Sequence, residues 1–183
     1  MSEYSLQLVD SLIFAKWVIP VDTDNSVLQD HAVVVNDNQI IDILPNVEAN
    51  KRYQANNRFE LNDHALIPGL INAHGHAAMT LMRGLADDLP LMEWLKEHIW
   101  PTEQRLVCDE FVAVGTELAI AEMLLSGTTC FSDMYFFPDV VARVARQHRI
   151  RTQISAPVLE FPSAWANNAN EYIEKALKVK DNF

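Results

Sequence analysis

The sequence predicts an α/β fold preceded by a β-rich segment, with a domain boundary near residue 65. Two observations support this prediction: short alternating strands fill residues 1–65, and strands then alternate with helices over residues 66–183. Strands that alternate with helices are typical of βα units around a parallel sheet. Aliphatic, aromatic and sulfur residues make up 49% of the 183 residues, which is typical of a folded globular chain.

The β-rich segment divides into short apolar runs separated by turn residues. We expect strands over residues 4–12, 14–21, 31–35, 39–44 and 53–61. The Asn36-Asp37-Asn38 turn between two apolar runs predicts a β-hairpin. Together these strands predict a small β-sandwich or β-sheet unit over residues 1–65.

Three βα units are predicted after residue 65. We expect strands over 66–73, 128–134 and 150–159, and helices over 91–99, 109–126, from 138 onward and over 166–180. The first strand is almost continuously apolar, as in a strand buried on both faces. In the 109–126 helix, apolar residues at the 3/4 spacing predict the buried face: Phe111, Val114, Leu118, Ala121 and Leu125. A closed eight-unit barrel needs about 250 residues, so a barrel in this chain would be incomplete.

Charge and composition exclude several classes of function. The formal net charge is −11, which argues against a nucleic-acid or anionic-membrane partner. The N-terminus lacks the basic and apolar regions of a signal peptide, and we expect no membrane span. The two cysteines, Cys108 and Cys130, form no CxxC motif, so we read them as small buried apolar residues in a reducing, cytoplasmic protein.

A pair of histidines, His74 and His76, stands where the first βα strand ends. Side chains two residues apart on a strand point to the same side, with their Cα atoms about 6.6 Å apart. Imidazoles at that spacing can converge on one metal ion, and Gly75 places no side chain between them. The two interpretations at this point are an incidental His-x-His pair and half of a zinc site, since catalytic zinc needs further ligands.

The residues around this pair resemble the amidohydrolase superfamily. The run from Leu66 to His76 looks like the first barrel strand of that superfamily. The segments Ala77 to Leu95, Trp100-Pro-Thr-Glu103 and Ser132 to Phe136 are similar to its branch of 5′-methylthioadenosine/S-adenosylhomocysteine deaminases and ATZ/TRZ (triazine) hydrolases. The resemblance implies an N-terminal β-sandwich (1–65) and the first three βα units of a metal-dependent (β/α)₈ TIM barrel (66–183).

The resemblance also implies roles for four residues. His74 and His76 would bind one Zn²⁺ per subunit, with other divalent metals as alternatives. Glu103 would bind the ribose hydroxyls of a nucleoside, since a carboxylate can accept two hydrogen bonds from a diol. Trp94 would help to wall the substrate pocket. The catalytic residues are unknown in this chain and are expected beyond Phe183.

The implied reaction is zinc-dependent hydrolytic deamination of 5′-methylthioadenosine, S-adenosylhomocysteine or adenosine by the full-length enzyme. Deaminases of methylthioadenosine can carry an arginine near the end of the third strand, where this sequence has Ser155-Ala156-Pro157, so the exact nucleoside stays open. The alternatives are a triazine/chlorohydrolase-like or guanine-type amidohydrolase acting on a heterocyclic amine, and a non-catalytic truncated fragment. Members of the family are commonly homo-oligomers.

Several other residues are candidates for roles at the site. Asp133 ends a predicted strand, where it would either orient a site group or make a structural hydrogen bond. Arg83 follows the histidine pair, and we expect it to pair with Asp87 or Asp88. The remaining histidines are isolated and read as surface or packing residues: His31, His64, His98 and His148.

Overall fold

The computed structural model describes residues 6–182 and divides the chain into two compact units, 1–68 and 69–183. The first unit holds four strands and one short helix: β1 (Gln7–Val18), β2 (Leu28–Asn36), β3 (Gln39–Pro45), α1 (Asn46–Arg52) and β4 (Tyr53–Leu66). They form one mixed sheet in the order β3-β2-β1-β4, in which β1 and β4 run parallel.

Strand β1 is the centre of this sheet. The two strands predicted for residues 4–12 and 14–21 are one continuous strand, because β4 pairs with it from Gln7 to Val18 and β2 pairs with it from Ser11 to Val18. Residues 4 and 5 of that prediction lie outside the described residues. Val9, Leu12 and Phe14 are each 1% exposed, and they pack with Ala49 of α1 in one apolar cluster.

The predicted hairpin is confirmed by strands β2 and β3. Asp37 and Asn38 both adopt positive φ angles, of 49° and 64°, as a tight two-residue turn requires. The backbone N–H of Asp37 also donates to Asp10 Oδ2 at 2.8 Å, which ties the turn to β1.

The second unit is a three-stranded parallel sheet with helical connections, in the order β5-β6-β7. Its elements are β5 (Leu70–Gly75), a 3₁₀ helix (Ala77–Met82), α2 (Leu91–Glu93), a π-helical turn (Trp94–Ile99), α3 (Trp100–Leu106), α4 (Asp109–Leu125), β6 (Thr128–Met134), α5 (Pro138–Gln147), β7 (Arg151–Ser155) and α6 (Ala169–Asn182). The chain thus contains three βα units of an α/β fold. No helix among residues 6–182 is long and apolar enough to cross a bilayer.

Helix α4 packs through a face different from the predicted one. Its buried residues are Val112, Gly115, Thr116, Ala119 and Ile120, whereas Val114 and Leu125 are exposed. The helix is apolar on nearly all sides, so periodicity does not select a face. The 3₁₀ helix selects it, because a Cβ at Gly115 would lie 2.5 Å from the carbonyl oxygen of Ala78.

The expectation that the first βα strand is buried on both faces is wrong for this structure. Leu70 is 51% exposed and Ile71 is 71% exposed. Strand β5 pairs with β6 along one edge only, and three strands do not close into a barrel that would cover it. Strand β7 is also shorter than predicted, and Cys108, expected to be buried, is exposed just before α4.

Candidate active site at the carboxyl end of the parallel sheet

His74 and His76 converge at the carboxyl end of β5. Their ring centroids lie 5.2 Å apart, with the ring planes at 82°. His74 is the fifth residue of the strand and His76 is the first residue beyond it, so the two-residue repeat sends both rings the same way. The structure therefore brings together the two residues predicted to bind a metal.

The end of β6 orients the His76 ring. His76 Nδ1 lies 2.6 Å from the carbonyl oxygen of Met134. A carbonyl oxygen only accepts hydrogen bonds, so Nδ1 carries a proton, and in the neutral ring Nε2 then keeps its lone pair. This tautomer leaves Nε2 available as a metal ligand.

Asp133 holds the backbone that follows His76. It is 1% exposed, and its Oδ1 accepts a hydrogen bond of 2.6 Å from the N–H of Ala77. Oδ2 has no hydrogen-bond partner among residues 6–182. Burial raises the pKa of the Asp133 carboxyl, which the Ala77 hydrogen bond and the nearby His76 lower less strongly. Of the two roles weighed for Asp133, the structure shows a backbone hydrogen bond next to the histidine pair.

Glu103 points from α3 toward the end of β6. Its Oε1 accepts a hydrogen bond of 2.7 Å from the hydroxyl of Tyr135. Burial raises the pKa of the half-buried Glu103 carboxyl, and this hydrogen bond and the charge of His76 oppose that rise. Burial and the charge of Glu103 raise the pKa of the Tyr135 hydroxyl, so Tyr135 is a permanent donor near neutral pH.

Three of the four predicted residues line one cavity of about 270 Å³: His76, Trp94 and Glu103. Tyr135 and the neighbouring aromatic residue Phe136 line it as well. His74 does not line this cavity, although its ring adjoins that of His76. A larger cavity of about 760 Å³, between α5, β7 and α6, contains none of the predicted site residues.

The helix predicted over 91–99 differs from the structure, in which Trp94 begins a π-helical turn. Residues 91–106 form one continuous helical stretch, in which a π-helical turn (Trp94–Ile99) joins α2 to α3. The wider turn shifts the phase of the helix by part of a turn. As a result Trp94 and Glu103, nine positions apart, both line the cavity.

Two contacts differ from, or go beyond, the sequence analysis. Arg83 does not pair with Asp87 or Asp88; its guanidinium donates to both carboxylate oxygens of Glu122, at 2.9 and 2.6 Å. The sequence analysis did not predict the hydrogen bond between Tyr135 and Glu103. The position of Tyr135, just past the end of β6, could have indicated a site residue, because parallel strands bring their carboxyl ends to one edge.

The histidine pair is suited to part of a metal site. Two imidazole nitrogens at the end of a strand are ligands that zinc accepts, and the Met134 carbonyl fixes the orientation of one ring. Among residues 6–182, no group of three histidine, cysteine or acidic residues is close enough to hold an ion by itself. The described residues thus fit half of a tetrahedral site.

Comparison with known proteins places this geometry in a family. A curated 5-methylthioadenosine/S-adenosylhomocysteine deaminase from Saccharophagus degradans is 49% identical over 174 residues, covering 95% of this chain and 39% of the relative. An adenosine deaminase from Xanthomonas campestris, crystallised with bound zinc, is 47% identical with a TM-score of 0.95, covering 97% of this chain and 40% of that one.

A more distant structure shares the fold alone. The triazine hydrolase from Arthrobacter aurescens is 18% identical, with a TM-score of 0.80 over 94% of this chain and 42% of its own. This chain therefore spans about two fifths of the length of the relatives it matches. The model of the amidohydrolase family matches residues 65–183, a segment that includes β5 and both histidines. The chain belongs to the amidohydrolase family.

Proposed function

We propose that the protein containing this chain is a zinc-dependent deaminase of adenosine-type nucleosides, with 5′-methylthioadenosine, S-adenosylhomocysteine and adenosine as the substrate class. The observation that carries the proposal is the shared cavity of His76, Trp94 and Glu103, with His74 beside His76. The names of the relatives from Saccharophagus degradans and Xanthomonas campestris support the substrate class.

His74 and His76 would hold the metal. The Met134 carbonyl keeps the His76 proton on Nδ1, and the remaining ligands are expected outside the described residues. Zinc, when bound, supplies the Lewis acidity that makes water reactive near neutral pH. Zinc is preferred to a harder cation because both ligands in this chain are imidazoles.

The net reaction replaces an amino group by an oxygen. Water adds to carbon 6 of the purine, the bond from carbon 6 to the exocyclic nitrogen breaks, and ammonia and the 6-oxopurine nucleoside are released. Glu103 would anchor the 2′,3′-diol through its carboxylate, which the Tyr135 hydroxyl holds in place. Trp94 would cover one face of the purine.

The 183 residues by themselves are expected to be inactive. Residues 6–182 supply two histidine ligands and no third ligand close to them. Strand β5 also exposes the apolar side chains of Leu70 and Ile71, which favours association. A soluble, monomeric and active chain of 183 residues would contradict this expectation.

The test uses the natural full-length gene product loaded with zinc. Ammonia release is measured on 5′-methylthioadenosine, S-adenosylhomocysteine and adenosine, and on guanine and a chlorinated or amino-triazine. Turnover of the three nucleosides is expected. Turnover of guanine or triazines alone would replace the proposal by the guanine-type or triazine hydrolase alternative, and no turnover at all would leave a non-catalytic protein.

Glu103→Gln separates the nucleoside proposal from its alternatives. A charged acceptor contributes about 1.5–3 kcal/mol per hydrogen bond, so kcat/KM for nucleosides is expected to fall about 100-fold. A free base or a triazine has no diol, so its turnover would stay unchanged. Glu97→Gln is the matched control, since Glu97 is exposed on the same helical stretch.

A further inference from the structure

Glu103 stands between two cavities, and only one of them contains a histidine. The second cavity has a volume of about 190 Å³ and shares four lining residues with the first: Trp100, Glu103, Phe136 and Leu159. Phe161 lines only the second cavity. The second cavity therefore begins where the proposed diol site lies, on the side away from His76.

The second cavity is apolar and aromatic. The rings of Trp100 and Phe161 lie 5.8 Å apart at a tilt of 52°. Among the described residues that line it, Glu103 is the only ionisable one, and Gln104 and Ser163 are the only neutral polar side chains. Such a wall favours a small apolar or thioether group, because sulfur packs well against aromatic rings. It offers no cation to a carboxylate.

The segment that carries Phe161 is anchored. It lies between β7 and α6, and the Oγ of Ser163 accepts hydrogen bonds from the N–H of Trp165, at 3.0 Å, and from the hydroxyl of Tyr172, at 2.6 Å. Trp165 and Tyr172 are buried with their rings 5.5 Å apart. The wall formed by Phe161 thus belongs to a packed substructure.

One nucleoside bound at Glu103 would extend into both cavities. The 2′- and 3′-hydroxyls and the 5′-carbon belong to one five-membered sugar, so a 5′-substituent leaves the ring within a few bond lengths of the diol. With the diol on Glu103 and the purine toward His76, the 5′-substituent faces the remaining opening beside Glu103. That opening is the second cavity.

We propose that the cavity beside Trp100 and Phe161 binds the 5′-substituent of the nucleoside and selects a short alkylthio group. This inference rests on the proposed function, because Glu103 as the diol site sets its starting point. The preferred substrate is then 5′-methylthioadenosine. Adenosine leaves the aromatic wall empty, and S-adenosylhomocysteine brings a charged amino-acid group beside the Glu103 carboxylate, where no described cation meets it.

The test compares Phe161→Ala with the wild type in the full-length, zinc-loaded protein. Phe161 is 47% exposed, so its truncation leaves the core intact; Phe59→Ala, at 48% exposure in β4, is the matched control. For 5′-methylthioadenosine we expect KM to rise about tenfold with kcat unchanged, and for adenosine we expect no change. Phe161→Leu should recover most of the loss. An equal loss on both nucleosides, or a wild type that prefers S-adenosylhomocysteine, would overturn the inference.

A binding measurement that does not depend on turnover distinguishes a failure of this inference from a failure of the proposed function. The Kd values of 5′-methylthioadenosine and adenosine are measured by calorimetry on the metal-free full-length protein and on Phe161→Ala. Tighter binding of the methylthio nucleoside that Phe161→Ala abolishes supports the inference even if no nucleoside is turned over, in which case the proposed function fails alone. Turnover of nucleosides without discrimination at Phe161 would reject the inference and leave the deaminase proposal standing.

Discussion

Strands β1 and β5 are both apolar, but the structure buries β1 and leaves much of β5 exposed to solvent. Strand β1 lies between β2 and β4, and Phe14 in its middle is 1% exposed. Strand β5 pairs only with β6, and Ile71 is 71% exposed. An apolar run therefore predicts a strand, and the number of neighbours decides how much of it is buried. The proposed site stands at the end of the less covered strand.

The largest expected effect tests this difference in burial directly. Phe14→Ala should lower the free energy of unfolding by about 3–5 kcal/mol, because it empties a packed core position. Ile71→Ala should change it by less than about 1 kcal/mol in the 183-residue chain. Urea titration followed by circular dichroism measures both.

The same two variants sharpen the comparison in the full-length protein. If further elements of the full-length protein cover Ile71, Ile71→Ala should cost about 2–4 kcal/mol there, as in other cores. An equal and small effect of Ile71→Ala in both lengths would show that β5 is an exposed strand in the complete protein too.

The next effect concerns the outer face of the second unit, which is packed tightly although the inner face is open. Gly115→Ala should destabilise the chain by about 1–3 kcal/mol, since the added Cβ would lie 2.5 Å from the Ala78 carbonyl oxygen. Gly127→Ala is a useful contrast, because Gly127 has open space around it and a φ of +84°. Its cost is about 1 kcal/mol from backbone strain alone. Similar losses in thermal unfolding for both variants would contradict the close approach at Ala78.

A third prediction concerns the carboxyl ends of β5 and β6, where Asp133 accepts a hydrogen bond from the turn after His76. Asp133→Ala removes the acceptor for the Ala77 N–H, which holds the turn after His76, so zinc affinity should fall about 10- to 100-fold. Asp133→Asn retains an acceptor oxygen and should lose less. Competition with a zinc chelator measures the affinity in the full-length protein. An unchanged affinity in Asp133→Ala would show that the Met134 carbonyl suffices to orient His76.

The smallest expected effect lies at the start of α6. The hydrogen bond from Lys175, and then those from Asn167, lower the pKa of Glu171 from 4.5 to about 2. Because the folded-state pKa lies below the unfolded value, Glu171 adds stability above that value and loses it as the pH falls from about 4.5 toward 2.

Glu171→Gln should therefore flatten the pH dependence of the melting temperature of the chain between pH 5 and pH 2. Glu174→Gln, at an exposed position one turn further along α6, should leave the profile unchanged. The Glu171 carboxyl is partly exposed to solvent, so the change should be a small fraction of the Phe14→Ala effect. Equal profiles for the wild type and Glu171→Gln would show that these hydrogen bonds add no stability.

Much of the fold follows from local patterns. The hairpin at Asp37-Asn38 and the βα order of the second unit agree with the sequence analysis, as does β6 over Thr128–Met134. These features depend on a two-residue turn or on a period within one element, and both are readable from neighbouring residues. The buried face of α4 was predicted wrongly and the π-helical turn at Trp94–Ile99 was not predicted, because each depends on what packs against the helix.

The candidate site likewise combines features that follow from the sequence with features that only the structure shows. The convergence of His74 and His76 follows from the two-residue repeat of a strand, and a sequence shows that repeat directly. The hydrogen bond between Tyr135 and Glu103 joins residues 32 positions apart, and the cavities on either side of Glu103 need β6, α3 and the segment before α6 in place.

The sequence by itself thus determined the order of strands and helices in the second unit, the turn of the hairpin and the pairing of the two histidines, because local backbone geometry sets each of them. Only the tertiary structure decided that β5 is open, that Gly115 selects the packed face of α4 and that Tyr135 holds Glu103. Those outcomes arise from contacts between residues distant in sequence, where the available neighbours, and not the local pattern, set the lowest free energy.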